Sequence, residues 1–461
     1  MQSLLAIARL TWKSAFRYRL FWVLAAVLLG AVVLLPMVVK DDGTVSGFVQ
    51  ILLTYTLSVT LFLLGLSTLW LACGTLARDI EECQIQMLVV KPVARWQIWL
   101  GKWLGIVTLN ALLLAIAGGA VFGLLEYRTS KLPPGPQKVM REEVLVARAS
   151  YKPHPPELEG EIEARFAKVP NREALPPDQQ EELRKKIADR VRLDAQIVPP
   201  MGRRGWVFEL GLDSRFRKEE PLFIRVKFYT ASTNGNSGGL YEGSWFFSSP
   251  GSDTVTESPP IRLASDSYQE FQIKRNPADD QGRLVIFFQS REDLTLLFPL
   301  EDGIEVLRRD GSFGWSFARG LGVLLAWLAL LAALGLSTAS VTSFPVAAFS
   351  SISLLVVVLS SSTLSESVSN QTVMMGRPDE FTTIRPVLNA LFIPLFKAIL
   401  AVVGVVNVAS PVDLLSTGRS VTWELLAVAW IQIVLVAGGV LAAVGIVLFT
   451  RRELATAQGG S

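Results

Sequence analysis

Trp99–Leu125 reads WLGKWLGIVTLNALLLAIAGGAVFGLL, with Lys102 as its one ionisable residue. A helix in water keeps a polar face, and this stretch keeps none. About 20 apolar residues suffice to cross the hydrocarbon layer of a bilayer. The segment therefore predicts a membrane-crossing helix, and that decides the fold class. Comparable runs occupy Phe21–Val39, Phe48–Leu76, Phe317–Thr338, Phe344–Leu364 and Leu425–Phe449. Leu388–Val408 is also apolar, but Pro394 breaks it and Lys397 interrupts its surface. It reads as a re-entrant hairpin or interfacial helix, since irregular backbone at membrane depth needs protein or water around it. The expected class is thus α-helical membrane protein with six spans.

The 461 residues are half hydrophobic yet 18% charged, so the apolar residues must be segregated. A net charge of +3 gives no footprint for nucleic acid. Cys73 and Cys83 fall in or beside apolar runs, which excludes a disulfide scaffold in the polar middle. The single histidine, His154, stands among prolines and reads as a solvated loop residue; a multi-histidine metal site is excluded. No cofactor is expected in this chain. Arg9, Lys13, Arg17 and Arg19 precede the first run, which ends without a small-residue cleavage site, so no cleavable signal peptide is expected.

Lys and Arg favour the cytoplasmic side of membrane proteins. The basic start, the 77–99 loop, the Ala339–Ser343 turn and Arg451-Arg452 are accordingly expected inside, and residues 126–312 outside. The insertion divides in two. Residues 126–205 read as a helical stem. Its clearest helix begins at Asp178, with Glu181 as capping-box partner, Glu181/Lys185 and Glu182/Lys186 pairs, and a Leu183, Ile187, Val191 stripe. From Trp206 the period becomes two: 223–228, 241–247, 268–274, 284–289, 294–298 and 303–307 read as strands. Residues 206–312 are expected as a β-sandwich of jelly-roll type. Trp206, Tyr241, Trp245, Phe246 and Phe247 read as sandwich core in preference to a sugar-stacking platform.

Between the second and third runs lies Arg78-Asp79-Ile80-Glu81-Glu82-Cys83-Gln84-Ile85-Gln86-Met87-Leu88-Val89-Val90-Lys91-Pro92-Val93-Ala94-Arg95, followed by Gly101, Lys102 and Gly105. It reads as a short amphipathic helix, a proline turn and a membrane helix that opens with small residues. A plain turn between two spans needs no such length.

This segment resembles the coupling helix of ABC-2 type transporter permeases. Leu88, Pro92, Arg95, Gly101 and Lys102 match the family pattern; Cys83-Gln84 departs from a common Gly-Thr. The basic first helix, and Ser410-Pro411-Val412-Asp413 before a last span closed by Arg451-Arg452-Glu453, are also similar. The resemblance covers residues 1–125 and 313–455, and the insertion is outside the family's common core. It implies a coupling helix at 78–95, in which Glu81, Glu82, Ile85, Leu88, Val89, Pro92 and Arg95 meet an ATPase. It also implies a connecting helix at 1–20 with Arg9, Lys13 and Arg17 on one face. Residues 21–125 would hold spans one to three, 313–364 spans four and five, 365–424 an outer loop with the re-entrant hairpin, 425–450 span six and 451–461 an inner tail.

No Walker A sequence is present. ATP and Mg²⁺ would therefore be used by separate ATPase subunits, and this chain is not expected to be an enzyme. The resemblance implies a second permease subunit, most simply a homodimer, in a bacterial cytoplasmic (inner) membrane. The scarcity of ionisable residues in the spans disfavours an ion relay and suits export of a lipid-like, glycan or other bulky cargo. The alternative is a membrane-anchored binding or scaffold protein whose outer domain captures a glycan or a periplasmic partner. Gly101/Gly105 and Gly119/Gly123 permit close helix packing. Ser350, Ser351, Ser353 and 360–362 could line a path or bond to their own helix.

Overall fold

The computed structural model describes residues 2–17, 20–38, 45–82, 93–170, 176–211, 220–230, 240–250, 255–273, 276–300, 302–360 and 410–452, with short pieces between 361 and 409. It forms two compact units, Met1–Ala147 with Gly311–Ser461, and Arg148–Asp310.

The first unit is helical: α1 Gln2–Arg17, α2 Leu20–Val38, α3 Val45–Glu81, α4 Arg95–Lys131, α5 Phe313–Ala339, α6 Phe344–Leu359, α7 Pro411–Ser416 and α8 Trp423–Arg451. Helices α3, α4, α5 and α8 are long and apolar enough to cross a membrane; α2 and α6 carry shorter apolar stretches, Trp22–Leu35 and Phe344–Leu359. These elements make the chain a multi-pass membrane protein in composition and length. Burial ranks them: 61% of the apolar window of α5 is buried against 22% of that of α8. The first is a central helix, and the second turns Ile431, Leu435, Val440 and Val444 outward.

Small residues set the helix spacings. A Cβ on Gly335 of α5 would stand 2.7 Å from Ala72 Cβ of α3, closer than real Cβ contacts come. Gly445 of α8 meets Ser337 of α5 in the same way, and the Ser337 hydroxyl donates to Leu441 O at 2.8 Å. Helix α8 contains a π-helical stretch, Trp430–Gly438, whose Trp430 Nε1 donates to Gly322 O at 3.1 Å. The helices overrun the apolar runs seen in sequence. Helix α3 continues to Glu81 and α4 starts at Arg95, because the polar ends find partners across the bundle. Of the expected re-entrant segment 388–408, the described pieces 389–390 and 392–397 are helical, so the helix at 392–397 continues through Pro394, where a break was expected; most of the rest lies outside the described residues.

The second unit is β-rich. One sheet has the order β1 (Val146–Tyr151), β12 (Ile304–Ser312), β4 (Leu222–Val226), β9 (Gln269–Ile273). Another runs β3 (Arg203–Glu209), β10 (Arg283–Ser290), β6 (Leu240–Ser248), with β7 (Thr256–Glu257) and β8 (Ile261–Ala264) both pairing β6. A small third sheet joins β2 (Ile197–Val198), β11 (Leu296–Leu297) and β5 (Tyr229–Thr230). Alternation puts Leu222, Ile224, Val306 and Ile304 of the first sheet into one apolar cluster with Trp206, Phe208, Trp245, Phe247 and Ile286 of the second. Trp206, Tyr241, Trp245 and Phe247 are core. Phe246 points to the other face, where the Arg203 guanidinium lies 5.2 Å from its ring centre.

The stretch 126–205 departs from an all-helical stem. Helix α4 runs on to Lys131, a six-residue helix Pro134–Val139 and a π turn Met140–Val144 follow, and then comes strand β1. That strand hides Arg148, which pairs with Glu270 and lies over the Phe223 ring. A cross-strand ladder continues it: Arg225 sits opposite Glu305 at 3.1 Å and Glu270 at 3.3 Å. Two helices follow β1, Glu159–Ala167 and Pro177–Asp194, joined by Arg165–Asp194 at 2.6 Å and by Arg184 with Glu159 and Glu163. The second starts one residue before the expected Asp178, with Pro176 as N-cap and Pro177 at the first helical position. A proline suits that position, having no N–H to satisfy, and Asp178 falls inside the helix, one residue past its start. The Glu182–Lys186 pair forms at 2.7 Å and Val191 is buried.

Arg204, on β3, breaks the rule that buried polar groups are paired. Among the described residues its Nη1 is buried without a hydrogen-bond partner, and it lies 5.1 Å from the Trp206 ring centre. Burial pushes its guanidinium down to about 10.

Candidate functional site

The candidate site is the end of the helical unit where α3 ends and α4 begins. Residues 83–92, which join them, lie outside the described residues, and with them Ile85, Leu88, Val89 and Pro92 of the expected coupling helix. The flanks of the segment are described, and each is tied to other helices.

On the α3 side, Lys102 of α4 places its Nζ 2.6 Å from Asp79 Oδ2 and donates to Thr75 O at 2.7 Å. The Lys102 side chain is 8% exposed, so the ammonium is removed from water and needs both oxygens. Glu81, the last residue of α3, accepts the Phe344 backbone N–H at 2.9 Å. It thereby satisfies a free donor at the start of α6, where the helix dipole also favours a carboxylate. Arg78 covers the Phe344 ring at 4.6 Å, and Trp70 meets the same ring edge-on at 5.0 Å. Glu82 forms the turn that follows and is exposed.

On the α4 side, Arg95 Nη1 donates to three carbonyls at the end of α8: Phe449 at 3.2 Å, Thr450 at 2.8 Å and Arg452 at 2.9 Å. The last carbonyls of a helix lack intrahelical partners and carry its negative dipole end; one guanidinium satisfies them together. Arg452 in turn donates to Ser340 O, at the end of α5, at 3.2 Å. Arg95 is therefore an internal tie between α4 and α8. Sequence reading placed it as a charge on the rim of a partner's surface; within the chain, its Nη1 is engaged by the end of α8.

Helix α1 lies against the start of α4. Ile7, Ala8, Thr11 and Ala15 are buried on one face, and Arg9 and Lys13 are exposed on another; the side chain of Arg17 lies outside the described set. Gly101 and Gly105 make room for it. A Cβ at either would come within 2.8 Å of Ile7 or Thr11. Ser3 reaches Gln97 at 3.2 Å, and Trp12 Nε1 donates to Thr108 Oγ1 at 2.9 Å. Gly119 and Gly123, by contrast, face open space, and Gly118 is the residue that admits a neighbour, Leu321 of α5.

Between the helices, Ser351 bonds Thr338 at 2.8 Å and lies 3.6 Å from Cys73 Sγ; it is a helix-to-helix contact. Ser360 donates to Val356 O of its own helix. Asn110 donates to Thr68 at 2.8 Å. In the second unit, the His154 backbone N–H donates to Val207 O and its side chain is exposed. Among the described residues no group of three or more His, Cys, Asp and Glu side chains could hold a metal ion.

Sequence reasoning singled out the segment, but not the ties of Asp79, Phe344, Phe449 and Ser340. One signal was available: a lone lysine in an apolar helix calls for an anionic partner, and Asp79 is the acid facing it. No protein-family model matches the chain, and no curated protein matches it.

Proposed function

We propose that this chain is the permease subunit of an ATP-driven transporter of ABC-2 type, in which residues 83–92 dock on a separate ATPase. The observation that carries this reading is the tethering of that segment. Its leading flank is fastened to α4 through Asp79–Lys102 and to α6 through Glu81, and its trailing flank to α8 through Arg95. A rigid push on so short a segment reaches α3, α4, α6 and α8 at once, as a lever must. Helix α1, held against α4 at Gly101 and Gly105, turns Arg9 and Lys13 outward, and that exposed face supplies a second cytoplasmic contact.

In this reading α2 and α6 also cross, giving six spans with both termini in the cytoplasm and residues 126–312 outside a bacterial inner membrane. Two copies assemble as a homodimer with two ATPases, which bind ATP and Mg²⁺. The exported cargo is lipid-like, glycan or otherwise bulky. The outer domain is a jelly roll. Its eight longer strands β1, β3, β4, β6, β8, β9, β10 and β12, renumbered in chain order, run 1-8-3-6 in one sheet and 2-7-4-5 in the other, which supports that topology.

The test is co-purification of the tagged full chain from its native membrane. A co-purifying subunit with Walker A and signature motifs, whose ATP turnover the chain stimulates, is the expected result. A chain that runs alone under mild detergent, with no ATPase in the eluate, refutes the reading. In a Cys73→Ser, Cys83→Ser background, a cysteine at exposed Glu257 should react with impermeant reagent in intact cells and one at Ala457 should not.

A further inference from the structure

At the end of α4 remote from residues 83–92, a cavity of about 220 Å³ opens between Phe122, Leu125, Glu126, Arg141, Leu145 and the first turn of α5 at Phe313. Its lining mixes polar and apolar surface, and the Phe317 ring meets Phe122 at a tilt at 6.2 Å and stacks on Phe313 at 5.8 Å. Among the described residues its rim carries one anion and one cation: Arg141 Nη2 lies 2.9 Å from Glu126 Oε1, and both side chains are half exposed. The cavity stands where the apolar stretch of α4 gives way to Glu126, Arg128 and Lys131, beside the exposed aromatic rings of Phe122 and Tyr127. Such a transition marks the head-group level of a bilayer.

We propose that this cavity binds the head group of a zwitterionic glycerophospholipid bearing a primary ammonium, of the phosphatidylethanolamine type. Arg141 takes the phosphate, Glu126 takes the ammonium, and the first acyl carbons lie on Phe122 and Phe313. The charges select for it. A purely anionic head group would meet the Glu126 carboxylate, and an uncharged one would use neither side chain. Opening the resident pair costs little, since ion pairs between exposed side chains are weak. The depression is open on one side, so the acyl chains of a bound lipid can leave it along the surface of α4. The inference needs α4 and α5 to be in a membrane, and it does not depend on the transporter reading.

The experiment is native mass spectrometry of the delipidated full chain in detergent, titrated with phosphatidylethanolamine, phosphatidylglycerol and phosphatidylcholine. Phosphatidylethanolamine should bind first and at one per chain. Gly314→Leu, which projects a side chain towards Phe122 from a position where a Cβ is 3.7 Å from that ring, should weaken it about tenfold. Arg141→Gln should weaken both ethanolamine and glycerol lipids, Arg141→Lys should restore binding in part, and Glu126→Gln should abolish the preference between them. Leu145→Trp fills the same cavity if Gly314→Leu is poorly folded. Equal binding of the three lipids by the native chain, or unchanged binding in the cavity-filling and Arg141→Gln variants, overturns the proposal.

Discussion

Replacing Asp79 by Leu should be among the most damaging single changes at the 83–92 end of the bundle, and adding Lys102→Met should rescue it. Lys102 is 8% exposed on its side chain, with Asp79 at 2.6 Å and Thr75 O at 2.7 Å as its two acceptors. Removing the carboxylate leaves an ammonium with one neutral carbonyl in an apolar surround. Breaking a buried pair from one side costs about 3–5 kcal/mol. Removing the lysine alone is milder. The Asp79 side chain is 25% exposed, so water can take over part of its solvation, and the loss should be about 1–2 kcal/mol. With both gone, Leu and Met fill similar volume and strand no charge, so the double variant should lie within about 1 kcal/mol of the native chain. The assay is reversible unfolding of the four proteins in mixed detergent micelles, followed by circular dichroism. Losses that simply add in the double variant, or a Lys102→Met loss as large as that of Asp79→Leu, would refute the claim that this pair is desolvated and mutually dependent.

Other expectations follow from single contacts. Gly105→Val should force α1 off α4, since a Cβ there meets Thr11 at 2.8 Å and Ala8 O at 3.0 Å. The loss is about 1–3 kcal/mol, and a cysteine at buried Ala15 should gain reactivity. Arg95→Gln should loosen the end of α8 by about 1–2 kcal/mol, read as faster trypsin cleavage after Arg451 or Arg452; unchanged cleavage would remove Arg95 as a tie. Arg204→Met should stabilise the second unit by about 1 kcal/mol, because relieving a buried unpartnered donor outweighs a ring contact worth about 0.5–1 kcal/mol; a lower melting temperature would contradict this.

The membrane helices were legible because an apolar run of sufficient length has few other fates, and the longer strands because β10 alternates cleanly and β4 and β6 are rich in apolar and aromatic residues. What escaped was non-local. Strand β1 carries Arg148 at a hidden position, tolerable only because Glu270 and Phe223, far along the chain, receive it. β2, β5 and β7 have two residues each, too few to show a period. Asp178 looked like a cap, yet Pro177 took the first helical position. At the candidate site, Gly101 and Gly105 announced close packing without naming α1 as the neighbour. Arg95 looked like a surface charge because its acceptors are backbone carbonyls 354 to 357 residues away, which no local pattern encodes.

The central claim is that residues 83–92 transmit work from a docked ATPase. It is tested most directly by Leu88→Asp in the full chain, reconstituted with its ATPase in proteoliposomes. Leu88 is the better probe because replacing Arg95 would also disturb its contacts with the end of α8. A carboxylate at an apolar anchor should weaken docking by a few kcal/mol, while the chain stays inserted and monodisperse. The account expects loss of ATPase retention and of stimulated ATP turnover together. Retention and stimulation equal to those of the native chain would contradict it.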